Sequence, residues 1–132
     1  MAINNPYNQY KQNSVTTASP EELTLMLYNG AIKFVNIAKI EMEAKNIERT
    51  NEAIVRSQDI IRELNGSLNM NYPISENLRT LYTFILEKLI DANIQKDIKI
   101  IEEILPIIEE MRDTWKLVIE EVKRQKFAQG AR

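Results

Sequence analysis

Four stretches of this chain repeat apolar residues at helical spacing, and each follows a residue type that starts helices well. That pattern leaves little room for anything but packed helices. The first stretch opens at Ser19-Pro20-Glu21-Glu22. Ser19 is placed to accept the Glu22 N–H, and Glu22 to reach back to Ser19, as a capping box. Pro20 falls at the first helical position, where its missing N–H costs nothing. The helix is expected to run to about Ala44. It carries one apolar stripe through Leu23, Met26, Leu27, Ala31, Phe34 and Ala38, and a second through Leu25, Tyr28, Ile32 and Val35.

The second helix carries Ala53, Ile54, Ile60, Ile61, Leu64 and Leu68. Thr50 is its expected N-cap, with Asn46 the alternative if the helix starts earlier. Ser75 is the expected cap of the third, whose stripe is Leu78, Leu81, Tyr82, Ile85, Leu89 and Ala92, ending near Asn93. Phe84 lies off that stripe. Asp97 opens the fourth, which holds Ile101, Ile104, Leu105, Ile108, Met111, Trp115, Ile119 and Val122. Pro106 inside it is expected to kink it. Short polar breaks between long helices make the fold an all-α, antiparallel four-helix bundle. Residues 1–18 are rich in Asn, Gln, Ser and Thr, hold no Asp or Glu, and lack a helical period. They read as an irregular N-terminal arm, with the bundle at 19–128 and a tail at 129–132. A chain of 132 residues has little room for a second domain.

Composition narrows the chemistry. The chain has no His and no Cys, which removes histidine bases, thiol catalysis, disulfides and the usual metal ligands. Three glycines cannot build a glycine-rich phosphate loop. No cofactor and no metal are therefore expected. The adjacent carboxylates Glu102–Glu103, Glu109–Glu110 and Glu120–Glu121 splay about 100° apart on a helix and read as solvated faces. Serine and threonine nucleophiles lack an evident base, so the chain does not read as an enzyme. A net charge of −2 and a pI near 5.3 argue against nucleic acid. No apolar run approaches the ~20 residues of a membrane span, and the first residues do not form a secretory signal. Cytoplasmic residence is the simplest expectation.

The positive signal is surplus apolar surface on the first and fourth helices. It fits either a wide core or an exposed groove for apolar segments of another protein. Tyr7 and Tyr10 belong either to a frayed tail or to a lid over such a groove. Gly30 inside a helix suggests close approach by a neighbouring element. Tyr7, Tyr10 and Val15 could close over a groove; Leu25, Tyr28, Asn29 and Ile32 could line the outer face of the first helix; Phe84 and Ile100 could extend the surface. Each has a core reading beside the binding one.

Several of these residues also stand in a familiar order. Tyr7 and Tyr10, then Ala18-Ser19-Pro20-Glu21-Glu22-Leu23, then Met26-Leu27-Tyr28-Asn29-Gly30-Ala31 resemble the start of the flagellar export chaperone family FliS. Asn77-Leu78, Leu81-Tyr82, Leu89, Ala92-Asn93, Asp97 and Trp115 continue the likeness. The resemblance implies a cytoplasmic chaperone that binds the disordered C-terminal region of flagellin, prevents early polymerisation and presents the client to an export-gate component of the secretion apparatus. It implies an arm that covers part of the binding surface. A helical adaptor for another amphipathic segment, such as a flagellar regulator, and a self-associating structural protein are the alternative readings.

Overall fold

The computed structural model describes residues 18–130. Tyr7, Tyr10, Val15 and most of the arm lie outside the described residues. Four helices follow in order: α1 (Pro20–Glu43), α2 (Ile47–Gly66), α3 (Pro73–Gln95) and α4 (Ile98–Gly130). The Ser19 side chain accepts the Glu22 N–H at 3.2 Å, as the capping pattern requires. The carboxylate that turns back toward Ser19 is that of Glu21. Its pKa is lowered by a backbone hydrogen bond first and by the Ser19 hydroxyl second.

Two caps differ from expectation. Asn46, not Thr50, caps α2, with its Oδ1 accepting the Arg49 N–H at 3.1 Å. Thr50 is buried and spends its hydroxyl on the Asn46 carbonyl at 2.7 Å, so it sits one turn inside the helix. Ser75 does not cap α3. That helix starts at Pro73, whose fixed φ suits the first turn, and its N-cap Tyr72 makes no side-chain bond. Ser75 is buried and donates to the Asn69 carbonyl at 2.6 Å, tying the preceding loop down. At the far end α3 runs on to Gln95 and closes on Lys96 in the left-handed region, φ 52°. Asp97 accepts the Lys99 N–H at 2.9 Å and starts α4 as expected. α4 continues through Pro106 to Gly130.

The helices form a ring in which α1 packs on α2, α2 on α3, α3 on α4 and α4 on α1. The α1–α2 seam is the most closely packed, and the α3–α4 seam the least. Val35, Ile54, Ile61, Leu64, Ile85, Leu89, Ile101, Ile104 and Ile108 are all but fully buried at the centre. Each such side chain contributes about 1.5–3 kcal/mol by leaving water. Across the ring, the buried hydroxyls of Tyr28 on α1 and Tyr82 on α3 meet at 2.5 Å.

Candidate functional site

α3 and α4 each carry two apolar stripes. Tyr82, Ile85, Leu89 and Ala92 of α3 and Ile101, Ile104, Ile108 and Ile119 of α4 fill the core. The second stripes are Ile74, Leu78 and Leu81 on α3, and Ile107, Met111, Trp115 and Val118 on α4. They flank the loosest seam and line an open groove of about 520 Å³, with Glu110 and Thr114 at its edge. Tyr28 reaches the groove from α1. Ile74 stands 63% exposed and Val118 37% exposed, so its apolar rim faces water. A hollow of about 220 Å³ adjoins it, sharing Tyr28, Ile74, Leu78 and Trp115 and reaching Tyr82.

The polar groups here are few and satisfied. The Trp115 Nε1–H donates to the Glu21 carbonyl at 2.8 Å, which holds the indole in the groove wall and pins the start of α1. Burial pushes the Tyr28 and Tyr82 phenols up, and their mutual bond pushes Tyr82 further. Both stay neutral at ordinary pH, so they add a polar but uncharged spot beneath an apolar surface. Among the described residues no group of three or more acidic side chains could hold a metal ion. An apolar cleft with neutral polar points suits the side chains of another protein chain.

A second apolar hollow, about 350 Å³, lies on the opposite seam. Leu23, Met26, Leu27, Gly30 and Phe34 of α1 meet Ile60 and Glu63 of α2 there. A Cβ added at Gly30 would stand 3.2 Å from the Ile60 Cδ1, so the glycine gives α2's side chain its room. Lys33 Nζ and Arg56 Cζ lie 5.7 and 5.5 Å from the Phe34 ring centroid.

The structure sorts the sequence-derived candidates unevenly. Tyr28 and Ile32 do not line an outer face: they are 3% and 7% exposed and belong to the core side of α1. α1's two stripes do not divide cleanly into inner and outer: Ala31 and Ala38 of the first are buried with Tyr28, Ile32 and Val35 of the second, while Leu23, Met26, Leu27 and Phe34 remain accessible. Leu25 is half-buried; Asn29 is exposed and accepts from Arg112 Nη1 on α4 at 3.4 Å. Phe84 and Ile100 are half-buried against the core, with Lys88 Nζ 5.6 Å from the Phe84 centroid. Only Tyr28 of the described candidates touches the α3–α4 groove. Leu78, Leu81, Met111 and Trp115, read from the sequence as core-stripe residues, line the groove instead, and Ile74, Ile107 and Val118 join them without having been singled out as site residues. Their signal was a second stripe one step aside from the core stripe on both helices.

Comparison with known proteins gives one consistent result. The family described as Flagellar protein FliS matches residues 3–122. The flagellar secretion chaperone FliS of Bacillus subtilis is 42% identical over 130 residues, covering 98% of both chains. The Vibrio cholerae protein of the same name is 32% identical over 112 residues, covering 80% of this chain and 82% of its own. A crystal structure of a bacterial flagellar chaperone superposes with a TM-score of 0.73 at 19% identity, covering 88% of this chain and 96% of the other.

Proposed function

The chain belongs to the FliS family, a family of flagellar secretion chaperones and not of enzymes, and from that premise we propose that its client is the C-terminal region of flagellin. The observation that carries the reading is the apolar groove between α3 and α4. Flagellin's terminal segment must bury apolar residues against other subunits in a filament, so the free monomer exposes them. Docking such a segment as an amphipathic helix covers that face and blocks premature polymerisation. Ordering a flexible client costs about 2–5 kcal/mol or more, which calls for an extended surface and keeps the client releasable. The hollow along the α1–α2 seam supplies more apolar surface of the same kind. Release then follows from competition at an export-gate component in the bacterial cytoplasm, with no bound nucleotide needed. Tyr7, Tyr10 and Val15 serve in this reading as arm residues that shield the groove until the client displaces them.

The test is calorimetric titration with a peptide from the last ~50 residues of flagellin, with circular dichroism alongside. Saturable binding with a negative heat-capacity change and gained helicity is expected. Ile74→Lys and Val118→Lys place charge on the exposed rim without touching the core, and should weaken binding by ~10-fold or more. Trp115, the chain's one tryptophan, reports the same event by fluorescence. A folded bundle that ignores the peptide, or binds it equally well in both rim variants, would refute the groove assignment. A bundle that instead took up an amphipathic segment of a flagellar regulator would favour the adaptor reading.

A further inference from the structure

α4 is 33 residues long against 24 in α1. At ~1.5 Å per residue the excess of nine residues is ~13 Å of helix. From Glu120 to Gly130 every residue but Val122 is exposed. Within this end Leu117 and Phe127 are 65% and 79% exposed, high values for large apolar side chains. Leu117, Glu120, Arg124 and Phe127 stand at i, i+3, i+7 and i+10, so they share one face. Ile119, the buried residue of this stretch, lies about 200° round from Leu117, so that face points away from the bundle.

The order along the face is apolar, acidic, basic, apolar. It reads as its own complement when reversed about position 122. In an antiparallel pair of copies, Leu117 meets Phe127 of the second copy and Glu120 meets its Arg124, each contact occurring twice. A parallel pair would set acid on acid. Arg124 already holds Glu121 through its Nε and Nη2, at 3.0 and 2.6 Å, which fixes the side chain on this helix end and leaves Nη1 to meet a carboxylate of the second copy. Arg124 and Phe127 lie beyond residues 3–122, the span matched by the family model.

We infer that the α4 end is a self-recognition surface through which two copies of this chain pair antiparallel about a two-fold axis near residue 122. The contact is isologous, so it closes at two copies and does not grow into a filament. Two short helix ends bury less than the ~1,200 Å² of a standard interface, so the dimer is weak and concentration-dependent.

Sedimentation equilibrium from ~10 μM to ~1 mM tests this, over a range suited to a small interface. Monomer is expected at the low end and dimer at the high end. Glu120→Lys or Arg124→Glu alone should weaken the dimer by ~10-fold or more, because each sets like charges together. The chain carrying both reversals should recover to within ~3-fold, and a mixture of the two single variants should pair as a heterodimer. Phe127→Ser should weaken it whatever the charges do. All four positions are exposed, and circular dichroism checks that each variant folds. A monomer at every concentration, or a dimer indifferent to both single reversals, overturns the inference. So does a Phe127→Ser chain that loses flagellin-peptide affinity with no change in mass, since the face would then serve the client. Client binding by a monomeric variant is measured separately, so failure of this inference is distinct from failure of the groove.

Discussion

Replacing Tyr82 by Phe removes one oxygen from the middle of the bundle and leaves the Tyr28 hydroxyl without its partner. The two rings are 2% and 3% exposed, and their oxygens are 2.5 Å apart. A lost hydrogen bond costs about 0.5–1.5 kcal/mol net, and an orphaned buried hydroxyl about 1–3 kcal/mol. Tyr82→Phe is therefore expected to destabilise by about 1–3 kcal/mol, and Tyr28→Phe by a similar amount. Water entering the adjoining 220 Å³ hollow to meet the orphan sets the lower end of that range. The double variant leaves two tilted phenyl rings, centroids 6.5 Å apart, and no orphan. It should lie within about 1 kcal/mol of the parent, because removing both partners forfeits the bond without stranding a group. The coupling across the cycle, the two single losses less the double, is then about 1–6 kcal/mol, outside the ~0.5 kcal/mol within which independent sites add. Urea unfolding followed by circular dichroism supplies all four free energies. Two single losses that simply sum in the double variant would show that the hydroxyls do not stabilise each other, and the argument would fail.

The same pair sets an alkaline limit. Both phenols are raised in the folded state, so their contribution is fully present below the ordinary tyrosine range near 10 and declines as pH rises through it. Thermal melts from pH 8 to 11 should fall late in that range, and the Tyr28→Phe/Tyr82→Phe chain should fall less. Lys96 holds the Asn51 Oδ1, the Asn93 Oδ1 and the Asn93 carbonyl within 2.8 Å from a left-handed backbone. Lys96→Ala loses those bonds and keeps the backbone cost, whereas Lys96→Gly relieves it, so the glycine variant should be more stable than the alanine one by about 1 kcal/mol in chemical denaturation. Gly30→Ala should raise stability by up to about 1 kcal/mol, since the new Cβ meets only the flexible tip of Ile60. A fall in melting temperature there would mean that Ile60 cannot give way.

Helix number and order were legible because each apolar run is long and its start is marked. The marks were less reliable than the runs. Ser75 has the chemistry of a cap, but Pro73 fixes the first turn two residues earlier and leaves the serine to bind the loop. Thr50 and Asn46 both suited the start of α2; the helix begins at the earlier one, and Thr50 bonds back to it. On α1 periodicity found two stripes and could not rank them. Which of their residues face inward depends on where α2 and α4 sit, and that is not local information. The groove was hidden for the same reason. Its walls are half-buried residues on two helices, and its volume comes from how loosely α3 meets α4. Nothing in either helix's sequence states that distance. Trp115 and Leu81 were noticed as parts of a family pattern, but their shared position is a property of the assembled bundle.

The bond from the Trp115 indole to the Glu21 carbonyl fixes where the N-terminal segment leaves the bundle: beside the groove wall itself. Seventeen residues span at most ~56–61 Å when extended, longer than the ~35 Å of α3. A segment attached ahead of Ala18 is thus tethered within reach of the groove, where any affinity it has acts at an effective concentration near the millimolar range. A client segment spliced in place of residues 1–17 would occupy its own chaperone without regard to dilution. In the proposed reading, in which the arm shields the groove, a free client has to outcompete that tether, so removing residues 1–17 should raise the client's apparent affinity.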